Sequence, residues 1–275
     1  MADEQVQLRI RQFDPSTIPK DRICVMIGKR GTGKSTLVAD ILSSKTDIPC
    51  GIVCSGSEES NDFYKQHVPN SFVYDGFQLN VFRRFLEQQR VTSQKWRNGE
   101  FTGDPHAFAI FDDCMYDKHF SKHMEIRQLF YNGRHRKIFA MVTMQYCLDM
   151  GPDLRTNTDF VFILREPIQA NRERIWRQWA GIFPTYAAFS SAMDVLTEDF
   201  GCMVINNIST SNKIEDVVFW YKATPGKEFR IGSPSFWRFH SANYNSHYQQ
   251  EEEQRQQDSG ASKRASYRVS KISHH

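Results

Sequence analysis

The apolar run Ile23-Cys24-Val25-Met26-Ile27 leads without a break into Gly28-Lys29-Arg30-Gly31-Thr32-Gly33-Lys34-Ser35, and Leu37, Ile41 and Leu42 then recur at helical spacing. A buried-type strand, a glycine-rich turn and a helix in that order satisfy G-x-x-x-x-G-K-[ST] at every fixed position. The glycines let the turn adopt backbone angles closed to other residues and approach a ligand closely. Successive backbone N–H groups and the helix N-terminus then face a polyphosphate. Lys34 supplies a mobile positive charge to the β- and γ-phosphates, and Ser35 supplies a hydroxyl ligand for Mg²⁺. The segment from Gly28 to Thr36 is therefore expected to hold ATP with Mg²⁺. Lys29 is unusual inside such a loop: it either reaches phosphate or lies in solvent.

Three further signals gain weight from this one. Phe108-Ala109-Ile110-Phe111 reads as a strand ending on Asp112-Asp113. Asp112 is expected to hold Mg²⁺ through its waters, and Asp113 to polarise the attacking water. Gln145 follows the strand Ile138 to Thr143, where a polar side chain sits beside Asp112 and orients water or senses the γ-phosphate. Arg134, with Arg136 as its rival and Arg165 as a weaker candidate, is the arginine expected to stabilise charge on the transferring phosphoryl group from a neighbouring subunit. The helix over residues 168–180 interleaves arginines with Trp176 and Trp179. Its plainer interpretation is a buried stripe of Ile175, Trp176 and Trp179 with the arginines wet.

Short apolar runs alternate with mixed segments along the chain. Strands are expected at Gly51 to Cys54, Phe72 to Tyr74 and Phe160 to Leu164, and helices at Gln78 to Lys95 and His119 to Tyr131. That alternation predicts an α/β fold, a parallel sheet with helices on both faces. After Gly201 the pattern changes to two strands flanking a polar turn, Cys202 to Ile205 and Val217 to Tyr221, which predicts an antiparallel hairpin added at the sheet edge. Residues 1–19 read as an N-terminal extension, 20–245 as one ATPase domain, and 246–275 as a polar tail too poor in apolar residues to order itself. An interaction or DNA-contacting arm is the alternative for that tail.

The 275 residues carry a formal net charge of +3, so overall charge announces no nucleic-acid binder, although Asn132 to Lys137 forms a local basic run. The apolar runs are strand-sized and predict no membrane insertion. The N-terminus lacks the pattern of a secretory signal. Six cysteines sit in or beside apolar runs without metal or redox spacing, which predicts reduced thiols in a reducing compartment.

The P-loop, the Phe108 to Asp113 strand and the stretch Asn132 to Gln145 together resemble the FtsK/HerA superfamily of DNA-translocating ATPases, of ASCE/RecA-like fold. Within it the likeness is to the packaging ATPases of nucleocytoplasmic large DNA viruses, the vaccinia type, over roughly residues 20 to 222. The resemblance implies an ATP hydrolase that drives double-stranded DNA, irrespective of sequence, into a preformed capsid. It also implies a homo-oligomeric ring of six subunits, a capsid or portal-vertex partner, and work in the host cytoplasm at the viral assembly site and in the virion. Arg134 and Gln145 fall where that superfamily has its trans finger and its strand-closing glutamine. Asp113 departs from the more common Glu and is one methylene shorter. A cellular FtsK/HerA-type translocase, a P-loop kinase for a small acceptor and a nucleotide-dependent scaffold are the alternatives.

Overall fold

The computed structural model describes residues 8–57, 62–115 and 117–244. The polar tail expected at 246–275 lies outside them. The strands are β1 (Arg11–Gln12), β2 (Ile23–Ile27), β3 (Cys50–Ser55), β4 (Val73–Asp75), β5 (Ala107–Asp112), β6 (Ile138–Met144), β7 (Phe160–Leu164), β8 (Gly201–Asn206) and β9 (Val218–Lys222). They form one sheet in the order β1-β9-β8-β7-β2-β6-β5-β3-β4. β8 pairs antiparallel with both β7 and β9, and the other pairings are parallel. The expected hairpin is therefore β8–β9. It lies at the sheet edge as expected, with the two-residue β1 pairing outside β9, and the turn joining its strands contains a short helix, Ile214–Val217.

The central strands are apolar at nearly every position because both faces of the sheet are covered. Ile23, Val25 and Ile27 point into one core together with Phe82, Leu129, Ile175 and Phe189. Cys24 and Met26 point into the other with Leu37, Ile41 and Phe236. The first face carries helices Leu79–Arg97, Met124–Asn132, Gln169–Trp179 and Tyr186–Leu196, and the second carries Lys34–Ser43 and Pro234–Asn243. We label these in chain order α1 (Lys34–Ser43), α2 (Leu79–Arg97), α3 (Met124–Asn132), α4 (Pro152–Arg155), α5 (Gln169–Trp179), α6 (Tyr186–Leu196), α7 (Ile214–Val217) and α8 (Pro234–Asn243). Phe13 and Ile18, which precede the expected domain start, are buried in the second core.

Two local expectations are corrected. The helix expected from His119 begins only at Met124, because His123 is extended (φ −59°, ψ 134°) and separates it from a 3₁₀ turn over Phe120–Lys122. In α5 the arginines are not uniformly wet. Arg172 is buried, its guanidinium held by the Glu166 carbonyl (2.5 Å), the Ser190 hydroxyl (3.1 Å) and Asp194 (2.7 Å). The i and i+4 positions of α6, Phe189 and Met193, bury in the same core as Ile175 and Trp179 of α5, and Arg172 links the two helices through Ser190 and Asp194.

Candidate nucleotide site

β2 lies between β6 and β7, so the P-loop emerges at the middle of the sheet, at the carboxyl ends of its parallel strands. Ligands of open α/β sheets bind at this end. Gly31 (φ +79°) and Gly33 (φ +95°) take left-handed backbone that other side chains resist, and Gly33 is the residue that starts α1. A Cβ on Gly28 would come within 2.6 Å of the Thr32 hydroxyl and 2.9 Å of Leu164, so that position is closed for a different reason: contact with β7.

Lys34 lies back along the loop, its ammonium donating to the Gly28 and Lys29 carbonyls at 2.8 and 2.9 Å. Burial lowers its pKa, while Asp112 and Asp113 act to raise it. A buried ammonium held by two neutral carbonyls is placed to turn toward a stronger, anionic acceptor. The Lys29 ammonium pairs with the buried Glu166 just beyond β7 at 3.1 Å. Glu166 also accepts the Ile168 N–H (2.9 Å) and Asn171 Nδ2 (3.2 Å), so it ties the loop to the start of α5.

Asp112 ends β5 and is 1 % exposed. Three hydroxyls donate to its carboxylate: Ser35 to Oδ2 at 2.7 Å, Tyr64 to Oδ2 at 2.7 Å, and Thr143 to Oδ1 at 2.6 Å. The Thr143 hydroxyl also accepts the backbone N–H of Asp113 at 2.9 Å. Asp113 stands in the left-handed region (φ +53°), which turns its side chain out of the strand, and its Oδ1 accepts from Gln145 Nε2 at 2.7 Å. The structure thus brings together Lys34, Ser35, Asp112, Asp113 and Gln145 at one end of three adjacent strands.

Ser35 and Asp112 present a hydroxyl and a carboxylate to each other, the hard oxygen donors that suit Mg²⁺. Among the described residues no three His, Cys, Asp or Glu side chains gather as a metal cage. Mg²⁺ at a nucleotide site needs none, since it keeps waters and takes phosphate oxygens. A cavity of about 820 Å³ opens over these groups, bounded by Arg30, Gly31, Gly33, Lys34, Ser35 and Thr36 on one side and by Asp199, Phe200 and Lys222 on the other. That volume lies within the usual range for small-molecule sites.

Arg134 and Arg136 fall elsewhere. Arg134 precedes β6, at the opposite end of the sheet, where its guanidinium bonds Asp159. β6 alone separates it from Gln145 by roughly 20 Å. Arg136 lies at that same far end, with Gln128 as its partner at 3.4 Å. Arg165 is exposed just past the carboxyl end of β7, at the same end of the sheet as the phosphate-binding loop. Arg134 and Arg136 do not face that loop in their own chain.

Tyr64, Thr143, Glu166 and Phe200 belong to the site and are absent from the motif-based prediction. Thr143 carried a signal, a lone polar residue within an apolar strand. Tyr64 reaches Asp112 across 48 positions of sequence, and no spacing rule foretells it.

No family model matches the chain. It is 35 % identical over 246 residues to uncharacterized protein L437 of Acanthamoeba polyphaga mimivirus, a match covering 88 % of this chain and 86 % of that one. The chain belongs to the L437 family. Another member, uncharacterized protein 088R of Invertebrate iridescent virus 3, is 37 % identical over 199 residues, 72 % of this chain and 74 % of that one. Among solved structures, the fold of this chain is similar to that of the genome packaging NTPase B204 from Sulfolobus turreted icosahedral virus 2, solved with AMPPCP (TM-score 0.53, 17 % identity, 75 % of this chain and 100 % of that chain). The fold is that of P-loop ATPases, a mostly parallel sheet with an antiparallel addition.

Proposed function

We propose that this protein is an ATP-driven motor that moves double-stranded DNA into a preformed viral capsid. The observation that carries the proposal is the continuous hydrogen-bonded chain Ser35–Asp112–Thr143–Asp113–Gln145, whose members would supply a metal-binding pair, a base and the amide that orients it. Gly28 to Thr36 wrap the phosphates of ATP, and Lys34 exchanges its carbonyl partners for β- and γ-oxygens. Ser35 and Asp112 would hold Mg²⁺, which would offset the charge of the phosphates. Asp113 accepts a proton from the attacking water, and Gln145 fixes the orientation of that carboxylate. Arg134 acts on the site of the next subunit in a ring of six, since it lies too far from its own.

Membership of a family of large-DNA-virus proteins and the likeness to a packaging NTPase support the assignment of the work done. A motor of this kind grips DNA through phosphates rather than base edges, so binding weakens as salt rises. The test is steady-state ATP hydrolysis with Mg²⁺ at low salt, with and without random-sequence duplex DNA. Stimulation by duplex of any sequence is the expected result. Phosphate passing to a small acceptor instead of water would overturn the motor assignment in favour of a kinase.

A further inference from the structure

We infer that Phe200 is the platform on which the nucleobase stacks. The inference rests on the proposal that the P-loop holds a nucleoside triphosphate, and it adds the subsite for the other end of that ligand. β7 ends at Leu164, which pairs with Cys202 at the start of β8. The residue two before Cys202 therefore emerges at the carboxyl end of the sheet, with only β7 between β8 and the P-loop strand β2. Phe200 lines the cavity that Gly33, Lys34 and Ser35 also line, and its Cδ1 is 3.7 Å from where a Cβ on Gly33 would stand.

A ring so close to the loop would ordinarily be packed away, yet Phe200 is 66 % exposed. Tyr146 is also exposed at this end of the sheet, but its hydroxyl accepts from Arg174 at 2.9 Å and it borders a different hollow. Among the described exposed large apolar and aromatic side chains, Phe200 alone lines the P-loop cavity. The backbone that places it is unusual. Asp199 (φ 47°) and Phe200 (φ 60°) are consecutive non-glycine residues in the left-handed region. Such backbone is unfavourable and persists only where surrounding structure holds it. Here Asp199 is anchored by Lys222 of β9, and Gly201 enters β8 immediately after.

An aromatic face open to a cavity beside a triphosphate site is matched by the π-face of a base, and stacking of this kind tolerates any base. Phe200 therefore supplies affinity for the nucleoside end of the ligand without reading its identity, and GTP gains from it as ATP does.

The test compares ATP, GTP and inorganic tripolyphosphate by isothermal titration calorimetry on the full chain, using wild type, Phe200→Ala, Phe200→Trp and Lys34→Ala. Phe200 is a surface side chain, so Ala leaves both cores intact. The expected result is about a tenfold loss of ATP and GTP affinity in Phe200→Ala, with tripolyphosphate unchanged and Phe200→Trp near wild type. Tripolyphosphate binding that disappears in Lys34→Ala supports the P-loop assignment independently. Equal ATP affinity in wild type and Phe200→Ala, or equal weakening of ATP and tripolyphosphate, would overturn the platform alone. Failure of wild type to bind either ligand would overturn both.

Discussion

The Thr143 hydroxyl donates to Asp112 Oδ1 at 2.6 Å from the neighbouring strand. The same oxygen accepts the Asp113 N–H, so one side chain sets both the orientation of the metal-side carboxylate and the backbone that presents the base. Thr143→Val, of equal shape, leaves a buried carboxylate one donor short and an amide without its acceptor. We expect a loss of about 1–3 kcal/mol in unfolding free energy and a fall in kcat larger than the change in KM. Thr143→Ser should restore most of both. Chemical denaturation alongside steady-state kinetics checks this, and a Val variant with wild-type kcat would remove Thr143 from the site.

Asp113→Asn is expected to keep ATP bound and stop its hydrolysis. Asn is the replacement of choice because it tolerates the left-handed backbone at this position, so the fold should survive. Nucleotide binding measured in parallel with single-turnover hydrolysis separates the two effects; turnover at the wild-type rate would exclude Asp113 as the base.

The two lysines of the P-loop should behave differently. Lys34→Ala is expected to abolish nucleotide binding or turnover. Lys29→Ala removes a partly exposed ion pair to Glu166, which keeps two other donors. Its expected cost is at most about 1 kcal/mol of stability, with ATP affinity changed by no more than about twofold. A large affinity loss in Lys29→Ala would mean that the ammonium leaves Glu166 for phosphate.

Arg134→Ala mixed in increasing proportion with wild-type protein should reduce ATPase activity more steeply than the wild-type fraction falls, because each variant disables its neighbour's site. Activity strictly proportional to the wild-type fraction would count against a finger supplied between subunits.

Burial pushes the Cys50 thiol up to about 11 and Cys54 up to about 12. The folded chain thus holds protons that the unfolded chain releases from about pH 9. The contribution of these thiols to stability is complete below that pH and is lost as pH rises through 11 and 12. Iodoacetamide should label native Cys50 at pH 8 roughly a hundredfold more slowly than an unfolded cysteine, with the rate still rising tenfold per pH unit past pH 9. A plateau near pH 9 would show an ordinary, exposed thiol.

Much of this was legible in advance because the relevant signals are local. The strands β2, β5, β6 and β7 are short apolar runs whose ends coincide with Ser35-side, Asp112 and Gln145 chemistry, and periodicity gives their order of appearance. Helix α6 escaped notice because its buried stripe is only Phe189 and Met193 among small and polar residues. β1 escaped because both its residues are exposed and only backbone pairing defines it. Tyr64, Glu166 and the Lys29 pairing depend on which segments the completed sheet brings together, and no spacing within one segment encodes that. Arg172 was misjudged for the same reason: helical periodicity finds an apolar stripe but cannot see that α6 packs a carboxylate and a hydroxyl against its edge.

The pairing of Arg11–Gln12 with Phe219–Trp220, continued by the Phe13 N–H to the Trp220 carbonyl at 2.8 Å, closes the outer rim of β9. Phe13 anchors that cover, sitting against Phe160, Phe162 and Phe219. Protein shortened past Phe13 would present a row of unpaired amides and carbonyls beside an aromatic face, a surface on which strands from other molecules add readily. Solubility at high concentration would then be governed by Arg11, Gln12 and Phe13, on the far side of the sheet from Asp112 and Asp113.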